Sequence, residues 1–282
     1  GADALGGGHA HVGMMIYQGE NWPATYRDKV MTLNLHGRRV NVDAVQRVGS
    51  ALVMKHQPDI LKSDDLWFRG IELSQGPDGA VYFTDWSDTG ECHNYEEATI
   101  HRDNGRIFRV NYGDQPSRLE DLSKAKDERL IAVLSDRDGV RSEMARRILQ
   151  ERSVAKKLND ETLGRLKTMF FDEARRPDAE STQALRYLWA LHSIGALPEL
   201  MPALRTNFQS YGDTLRGWVV RFELEGHPSA DVLSHLASIA TNDPSPYVRL
   251  QLASGLRQLQ SADRVDIAKG LASHAEDSAD NN

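Results

Sequence analysis

The chain contains a single cysteine, Cys92, among its 282 residues. One cysteine cannot form an internal disulfide, and without a CxxCH motif the segment attaches no c-type haem. The sequence also has no run of 18 or more apolar residues, whereas a helix needs about 20 to cross a bilayer. The sequence therefore predicts neither a haem attachment site nor a transmembrane segment in this chain.

Basic residues are outnumbered, with 34 Lys and Arg against 41 Asp and Glu, a net charge of −7 and a pI near 5.8. Because a nucleic-acid-binding surface needs a basic patch, this balance argues against a nucleic-acid partner. The chain begins Gly1-Ala2-Asp3, with no initiator methionine and none of the basic and apolar regions of a signal peptide. We therefore expect a fragment of a longer protein.

Glycine is sparse in the second part of the chain, since 14 of the 22 glycines precede residue 114. Glycines of this density suit tight turns between strands. A single core usually stops growing near about 250 to 300 residues, so we expect two domains. The sequence predicts a β domain over residues 1–113, a helical domain over residues 114–275 and a disordered acidic tail over residues 276–282.

The β domain is organised around residues 67 to 109. The segment W-F-R-G-I-E-L leads into the turn G-P-D-G, in which proline fixes one φ and glycine permits a positive φ. The segments A-V-Y-F-T-D-W and, after an acidic loop, G-R-I-F-R-V-N-Y are rich in β-branched and aromatic residues. Two strands, a polar excursion and a returning strand are typical of a propeller blade.

These motifs resemble the closing blades of the soluble glucose and sorbosone dehydrogenases, which are six-bladed β-propellers that hold pyrroloquinoline quinone (PQQ). Residues 9 to 45 are similar to the preceding blade, and the run through Tyr112 resembles the bacterial membrane-bound dehydrogenases or PVC-type haem-binding proteins. In that family a propeller precedes HEAT repeats and often a CxxCH segment. The resemblance implies that this chain is an internal fragment holding the C-terminal blades of a six-bladed propeller.

The helical domain carries a loose repeat that begins D-x-V-R-x-x-x-A at Asp138. Related segments begin near Asp178, Asp213 and Asp243, spaced 30 to 40 residues apart. Aspartate suits a helix N-cap, and this period is near that of HEAT and armadillo repeats. We therefore expect a HEAT-type solenoid of stacked helix pairs.

Five residues are candidates for a ligand or cofactor site. His9 and His11 lie two apart, so an extended chain points both to one side; the alternative is two solvated histidines. His36 and Arg38 mark a hairpin turn where strand ends meet, although His36 can also serve only as a turn residue. The resemblance implies pocket roles for these residues, with His36 standing where the family has a lysine.

Arg69 is the strongest of the five. In the resembled pattern an arginine ahead of G-P-D-G binds the cofactor's carboxylates, and a planar guanidinium suits that contact. A second family arginine is replaced here by Trp67. The alternative for Arg69 is an ion pair between neighbouring strands.

The loop from Asp85 to Asn94 is rich in carboxylates at Asp85, Asp88 and Glu91, which are ligands that calcium prefers. Their spacing differs from that of an EF-hand, so the alternative is a polar connection between strands. The sequence thus offers PQQ and calcium as cofactors and identifies no catalytic base.

Two functions follow from these observations. The first is part of a PQQ-type sugar or alcohol dehydrogenase that passes electrons to a cytochrome-type haem domain outside this chain, in the periplasm or cell envelope as the resemblance implies. The second is a non-catalytic propeller and HEAT module that binds carbohydrate or protein.

Overall fold

The computed structural model describes residues 7, 10–90, 96–114, 119–176 and 182–280. The chain divides into two compact units that interleave along the sequence. The first unit, called the β unit here, comprises residues 1–46, 53–124 and 136–144. The second, called the helical unit, comprises residues 47–52, 125–135 and 145–282.

The first sheet has four strands in the order β1-β2-β3-β4. They are β1 (His11–Ile16), β2 (Lys29–Asn34), β3 (Arg39–Val48) and β4 (Ala51–Lys62). β2 pairs antiparallel with both β1 and β3, with Met31 opposite Met15 on one side and Val42 on the other. These three side chains are buried, so the centre of this sheet contributes to the core.

The second sheet has three strands, β5 (Gly70–Gln75), β6 (Val81–Asp85) and β7 (Arg106–Val110), in sequence order and antiparallel. The predicted G-P-D-G segment makes the β5–β6 turn. Gly79 has a φ of 78°, in the region that favours glycine. The Asp78 side chain accepts from the Ala80 N–H at 3.1 Å and so closes the turn.

Both sheets contribute to one hydrophobic cluster. Met31 and Leu33 of the first sheet and Leu73 and Phe83 of the second are all at most 4% exposed. Tyr17, fully buried after β1, donates its hydroxyl to the Gly79 carbonyl at 2.9 Å. The buried hydroxyl is thus satisfied, as a phenol in a core must be.

The prediction of propeller blades is wrong. The strands form two small open sheets of four and three strands, and the described residues contain no closed propeller. Alternating apolar residues and tight turns specify an antiparallel meander, which is what forms. They do not specify closure, because blade packing around a channel depends on further sheets.

Helices follow the last strand. They are α1 (Asp127–Leu134), α2 (Gly139–Val154), α3 (Asp160–Ala174), α4 (Thr182–Ser193), α5 (Leu197–Thr206), α6 (Asp213–Glu223), α7 (Ala230–Asn242), α8 (Pro246–Gly255) and α9 (Val265–Ala272). α3 begins where Asn159 accepts from the Thr162 N–H at 2.7 Å, an N-cap. Throughout the described ranges, no helix is both long and apolar enough to cross a membrane.

The helical unit buries apolar stripes between neighbouring helices. α3 packs on α4, α6 on α8 and α7 on α9. Leu188, Leu191, Val219 and Leu252 are fully buried, as expected for positions that recur at helical spacing. The contacts of α6 with α8 and of α7 with α9 pair every second helix, as stacked helix pairs do.

Two buried arginines connect the segments that the D-x-x-R pattern marked. Arg216 on α6 donates from Nε and Nη2 to the carboxylate of Asp243, at 2.8 and 3.0 Å, and from Nη1 to the Tyr211 carbonyl. Arg249 on α8 donates from Nε to Asp277 at 2.6 Å. Arg216 therefore pairs with the aspartate that begins the following segment, and Arg249 pairs with Asp277 near the end of the chain.

The described part of the acidic tail contacts residues distant in sequence. Residues Ala275–Ala279 form a 3-10 helix, and Asp277 accepts from Arg249. Asp280 then accepts from the Ser50 N–H at 2.8 Å and from its hydroxyl at 2.7 Å. Composition alone does not encode such long-range partners.

Arg216→Met is expected to destabilise the helical unit by about 3–5 kcal/mol, because it leaves the fully buried Asp243 carboxylate without its charge partner. Urea unfolding followed by far-UV circular dichroism measures the change. The matched control is Lys269→Ala, whose ion pair with Asp266 is 73% and 81% exposed, and which should shift stability by less than about 0.5 kcal/mol. Equal effects of the two substitutions would contradict the assigned role of the buried pair.

Candidate functional site

Arg69 lies immediately before β5 and is buried, at 7% exposure. Its Nη1 donates to the carbonyls of Leu66 at 2.9 Å and Phe68 at 2.8 Å, and its Nε donates to the Gly90 carbonyl at 3.2 Å. The guanidinium thus holds the segment before β5 to the loop after β6. Its donors face main-chain oxygens instead of an open pocket.

Asp85, predicted as a calcium ligand, completes the same arrangement. It accepts from the Arg69 N–H at 2.6 Å and the Ser87 N–H at 3.0 Å, while its second oxygen accepts from Nε of Arg106 at 2.7 Å. Arg106 also pairs with Asp65 at 2.7 Å. The buried Asp85 carboxylate is thus satisfied within the protein, as a buried charge must be to avoid a desolvation penalty.

The remaining predicted residues lie in the first sheet and its turns. His11, exposed on β1, makes a 3.0 Å hydrogen bond between Nδ1 and the Thr32 hydroxyl. His36 and Arg38 are half-buried in the β2–β3 turn, where Arg38 has a φ of 49°. His9 lies outside the described residues. The two cavities described below are lined by other residues.

These residues do not fit PQQ. A tricarboxylate quinone needs cationic donors that face it, and the arginine on which the assignment depended directs three hydrogen bonds to carbonyls. The replacement of the second family arginine by Trp67 removes another charge. No step of a reaction is therefore assigned through this cofactor.

The described part of the loop over residues 85–94 does not contain a set of calcium ligands. Asp88 accepts from the Gly90 N–H at 3.2 Å and from the Trp86 indole at 2.9 Å. Glu91 to Asn94 fall outside the described residues. Across the described chain, no group of three or more His, Cys, Asp or Glu side chains is placed to hold a metal ion.

The first sheet contains a buried polar network that was not predicted from the sequence. Asn34 and Asn41 are fully buried, and Asn41 donates to Asp59 at 2.7 Å. Arg39 pairs with the other oxygen of Asp59 at 3.0 Å. Asparagine is depleted in strands, so two of them on adjacent strands signalled this network. Because its members bond one another, we interpret the network as structural.

The helical unit contains a cavity of about 420 Å³ between the end of α4, the helices α5 and α6, and the start of α7. Its walls are mainly apolar, with charged groups on one side. The lining residues are His192, Gly195, Leu197, Pro198, Met201, Arg205, Phe222, Glu223, Glu225 and Val232. Predominantly apolar walls with a few convergent polar groups are typical of ligand sites.

Glu223 is the unusual member of this lining. Its side chain is 1% exposed and its Oε1 accepts from Nη1 of Arg205 at 3.1 Å. Its Oε2 is buried and has no hydrogen-bond partner within the described residues. Burial raises the pKa of the Glu223 carboxyl above its ordinary value, and the Arg205 guanidinium only partly opposes that shift.

The sequence did contain a signal for Glu223. Leu215, Val219 and Glu223 are spaced four apart on α6, so the glutamate occupies the stripe that the first two bury. It also ends the helix, where the helix dipole disfavours an acidic group. A charge placed against both preferences is a candidate functional residue.

The rim of the cavity is aromatic and charged. The His192 ring stacks on Phe222 with a centroid distance of 4.4 Å and an interplanar angle of 25°. His192 Nε2 lies 2.9 Å from Oε2 of Glu225. The His192 ring therefore makes a packing contact, while its Nε2 lies beside the Glu225 carboxylate.

A second, polar groove of about 360 Å³ shares Glu225 with the cavity. Arg221 and Arg257 line it together with Gln251, Ser254, Gly255, Leu224 and Gln258. The Arg221 guanidinium lies 4.2 Å from the Trp218 ring centroid. Neither guanidinium forms an ion pair within the described part of the chain, so the groove presents two cations to a ligand.

Comparison with known proteins places only the strand-rich part of the chain. Residues 2–114 match the family model of a domain of unknown function, DUF7133. The match covers less than half of the chain and leaves the cavity outside. No curated protein and no solved structure matches the chain. The dehydrogenase resemblance therefore stays a prediction.

Arg69→Met is expected to loosen the β5–β6 hairpin, because the carbonyls of Leu66, Phe68 and Gly90 lose a charged donor at a cost of roughly 1–3 kcal/mol. Hydrogen–deuterium exchange of the β5 and β6 amides should accelerate. Arg38→Met, at another residue of the predicted site, serves as the control and should leave these amides unchanged. Unaltered exchange in the Arg69 variant would show that its donors are not needed for the hairpin.

Glu223→Gln is expected to gain stability over the wild-type chain as pH rises. Below the ordinary value of 4.5 the carboxyl is protonated in both states. Above it the unfolded state ionises first, so the wild type loses stability until the raised folded-state pKa is passed. Urea unfolding between about pH 4 and pH 7.5 measures this difference. Glu143→Gln, which removes an exposed carboxyl, is the control. Its difference in unfolding free energy from the wild type should not change with pH. A pH-independent difference for Glu223→Gln would contradict the raised pKa.

Proposed function

We propose that this chain is a non-catalytic binding module whose helical unit holds a ligand in the Glu223 cavity. The observation that carries the proposal is Glu223, a lining residue of the cavity whose buried Oε2 has no hydrogen-bond partner among the described residues. Leaving a buried acceptor unsatisfied costs about 1–3 kcal/mol. A ligand that donates a hydrogen bond to this oxygen recovers that cost.

The lining favours binding over turnover. It contains no serine, threonine, cysteine, lysine or tyrosine that could act as a nucleophile. Glu223 itself is tied to Arg205, and the His192 nitrogen is directed at Glu225 instead. A base and an acid that converge on one reacting atom are therefore missing from this lining, whereas the elements of a recognition site are present.

The ligand chemistry follows from the walls. Leu197, Pro198, Met201 and Val232 contribute apolar surface to the same lining as the carboxylate. A fitting group has a short hydrocarbon segment, which these side chains remove from water, and a polar end that donates to Glu223. Carbohydrate and protein both offer such donors, and the apolar wall favours the side chain of a protein.

The test is an NMR titration of methyl-labelled methionines in the whole chain with n-butylamine, n-butanol and butyrate. Met201 lines the cavity, whereas Met144 is an exposed reference elsewhere. We expect saturable shifts of the Met201 methyl with the amine and the alcohol, because both donate hydrogen bonds. Butyrate, which is ionised and donates none, should leave that methyl in place.

Val232→Phe is the blocking variant, since it fills the cavity from α7 and should abolish the shifts. Val265→Phe, at a residue 48% exposed on α9, is the matched control and should preserve them. Absence of any saturable shift, or shifts that persist in Val232→Phe, would overturn the proposed function.

A further inference from the structure

The charges around the cavity favour a cationic occupant. Glu223 and Glu225 contribute two carboxylates and Arg205 one guanidinium, which leaves an excess of one negative charge when Glu223 is ionised and His192 is neutral. A cation that enters restores balance and stabilises the ionised form of Glu223, whose Oε2 has no partner among the described residues. A neutral donor satisfies the hydrogen bond only, so the excess charge discriminates between the two.

The shape of the site narrows the cation to a guanidinium. His192 and Phe222, whose rings stack on one another, both line the cavity, and Trp218 lies beside Phe222 at 5.6 Å between centroids. A planar guanidinium stacks on aromatic faces and carries five donors, enough to address Glu223 and Glu225 together. Its methylene chain suits the apolar wall of the cavity.

The adjoining groove indicates that the cation belongs to a protein segment. The groove shares the lining residue Glu225 with the cavity and offers Arg221 and Arg257, which suit a carboxylate. Gln251 and Gln258 supply amide groups that can pair with main-chain N–H and C=O groups. An occupant of both spaces therefore carries a cation, a nearby anion and amide groups.

We propose that the cavity and groove bind a protein partner through an arginine side chain that enters the cavity, while an acidic residue close to it in sequence lies in the groove. This inference rests on the proposed function, because it names the occupant of the same site. The arginine donates to Glu223 Oε2, and the acidic residue pairs with Arg221 and Arg257.

Fluorescence anisotropy with labelled peptides tests the inference on the whole chain. Each peptide carries one Arg and one Asp in an alanine background, separated by between none and three residues. For the best spacing we expect saturable binding that weakens roughly tenfold or more when citrulline, a neutral isostere, replaces Arg. Asn in place of Asp should weaken it about threefold, as for an exposed pair.

Variants assign each effect to its partner. Glu223→Gln should remove most of the preference for Arg over citrulline, and the double variant Arg221→Ala/Arg257→Ala should remove the preference for Asp over Asn. Lys269→Ala, an exposed residue of another helix, is the control and should bind every peptide as the wild type does.

The outcomes separate the two proposals. If the butyl probes bind but no peptide does, or if the citrulline or a lysine peptide binds as tightly as the arginine peptide, the inference is overturned while the proposed function stands. If the butyl probes fail as well, the proposed function falls with it. Arginine-dependent binding that Glu223→Gln leaves intact would also overturn the inference, since the cation would then occupy another site.

Discussion

Buried arginine–carboxylate pairs are the constraint on which the helical unit depends. Arg216 and Asp243 are joined by two hydrogen bonds, and the Tyr211 carbonyl accepts a third from the guanidinium. Such a pair is costly to desolvate and costlier to break, so it fixes which helix segments adjoin more than it adds stability. Arg249 repeats the arrangement one segment further on.

Glu223 is the exception that the same constraint makes visible. Both oxygens of the buried Asp243 carboxylate in the same unit accept hydrogen bonds. The Glu223 carboxylate instead keeps a single hydrogen bond, to a partly exposed arginine, and its buried Oε2 has no partner among the described residues. Folding alone would favour leucine at this place on the α6 stripe. A polar group retained at such a cost is the kind of local inconsistency that functional sites carry.

The sequence predicted local features well where local chemistry decides them. The G-P-D-G segment formed its turn because Gly79 alone tolerates the required φ and Asp78 closes it. The last strand also ends at Val110 and the first α-helix begins at Asp127, on either side of the fall in glycine content near residue 114. The propeller was wrong because closure depends on contacts between sheets, which a pattern of period two does not encode.

Site residues were harder to predict for a related reason. The sequence around Arg69 does not show whether its guanidinium donates to a ligand or to the Gly90 carbonyl, because that depends on tertiary contacts. Glu223 was recognisable in principle from its place on an apolar stripe. A ranking by similarity to a known site does not select Glu223, because its signal is a charge within the apolar pattern of α6.

The contact of Asp280 with Ser50 has a consequence for biosynthesis. The two residues are 230 positions apart. Ser50 lies at the tip of the β3–β4 hairpin, and this tip, residues 47–52, belongs to the helical unit. A ribosome delivers the tip long before the aspartate that anchors it. During that interval the hairpin lacks its final anchor. Its apolar side chains Val48 and Leu52 are 54% and 68% exposed even in the finished structure. An unprotected hairpin of this kind can associate with other nascent chains.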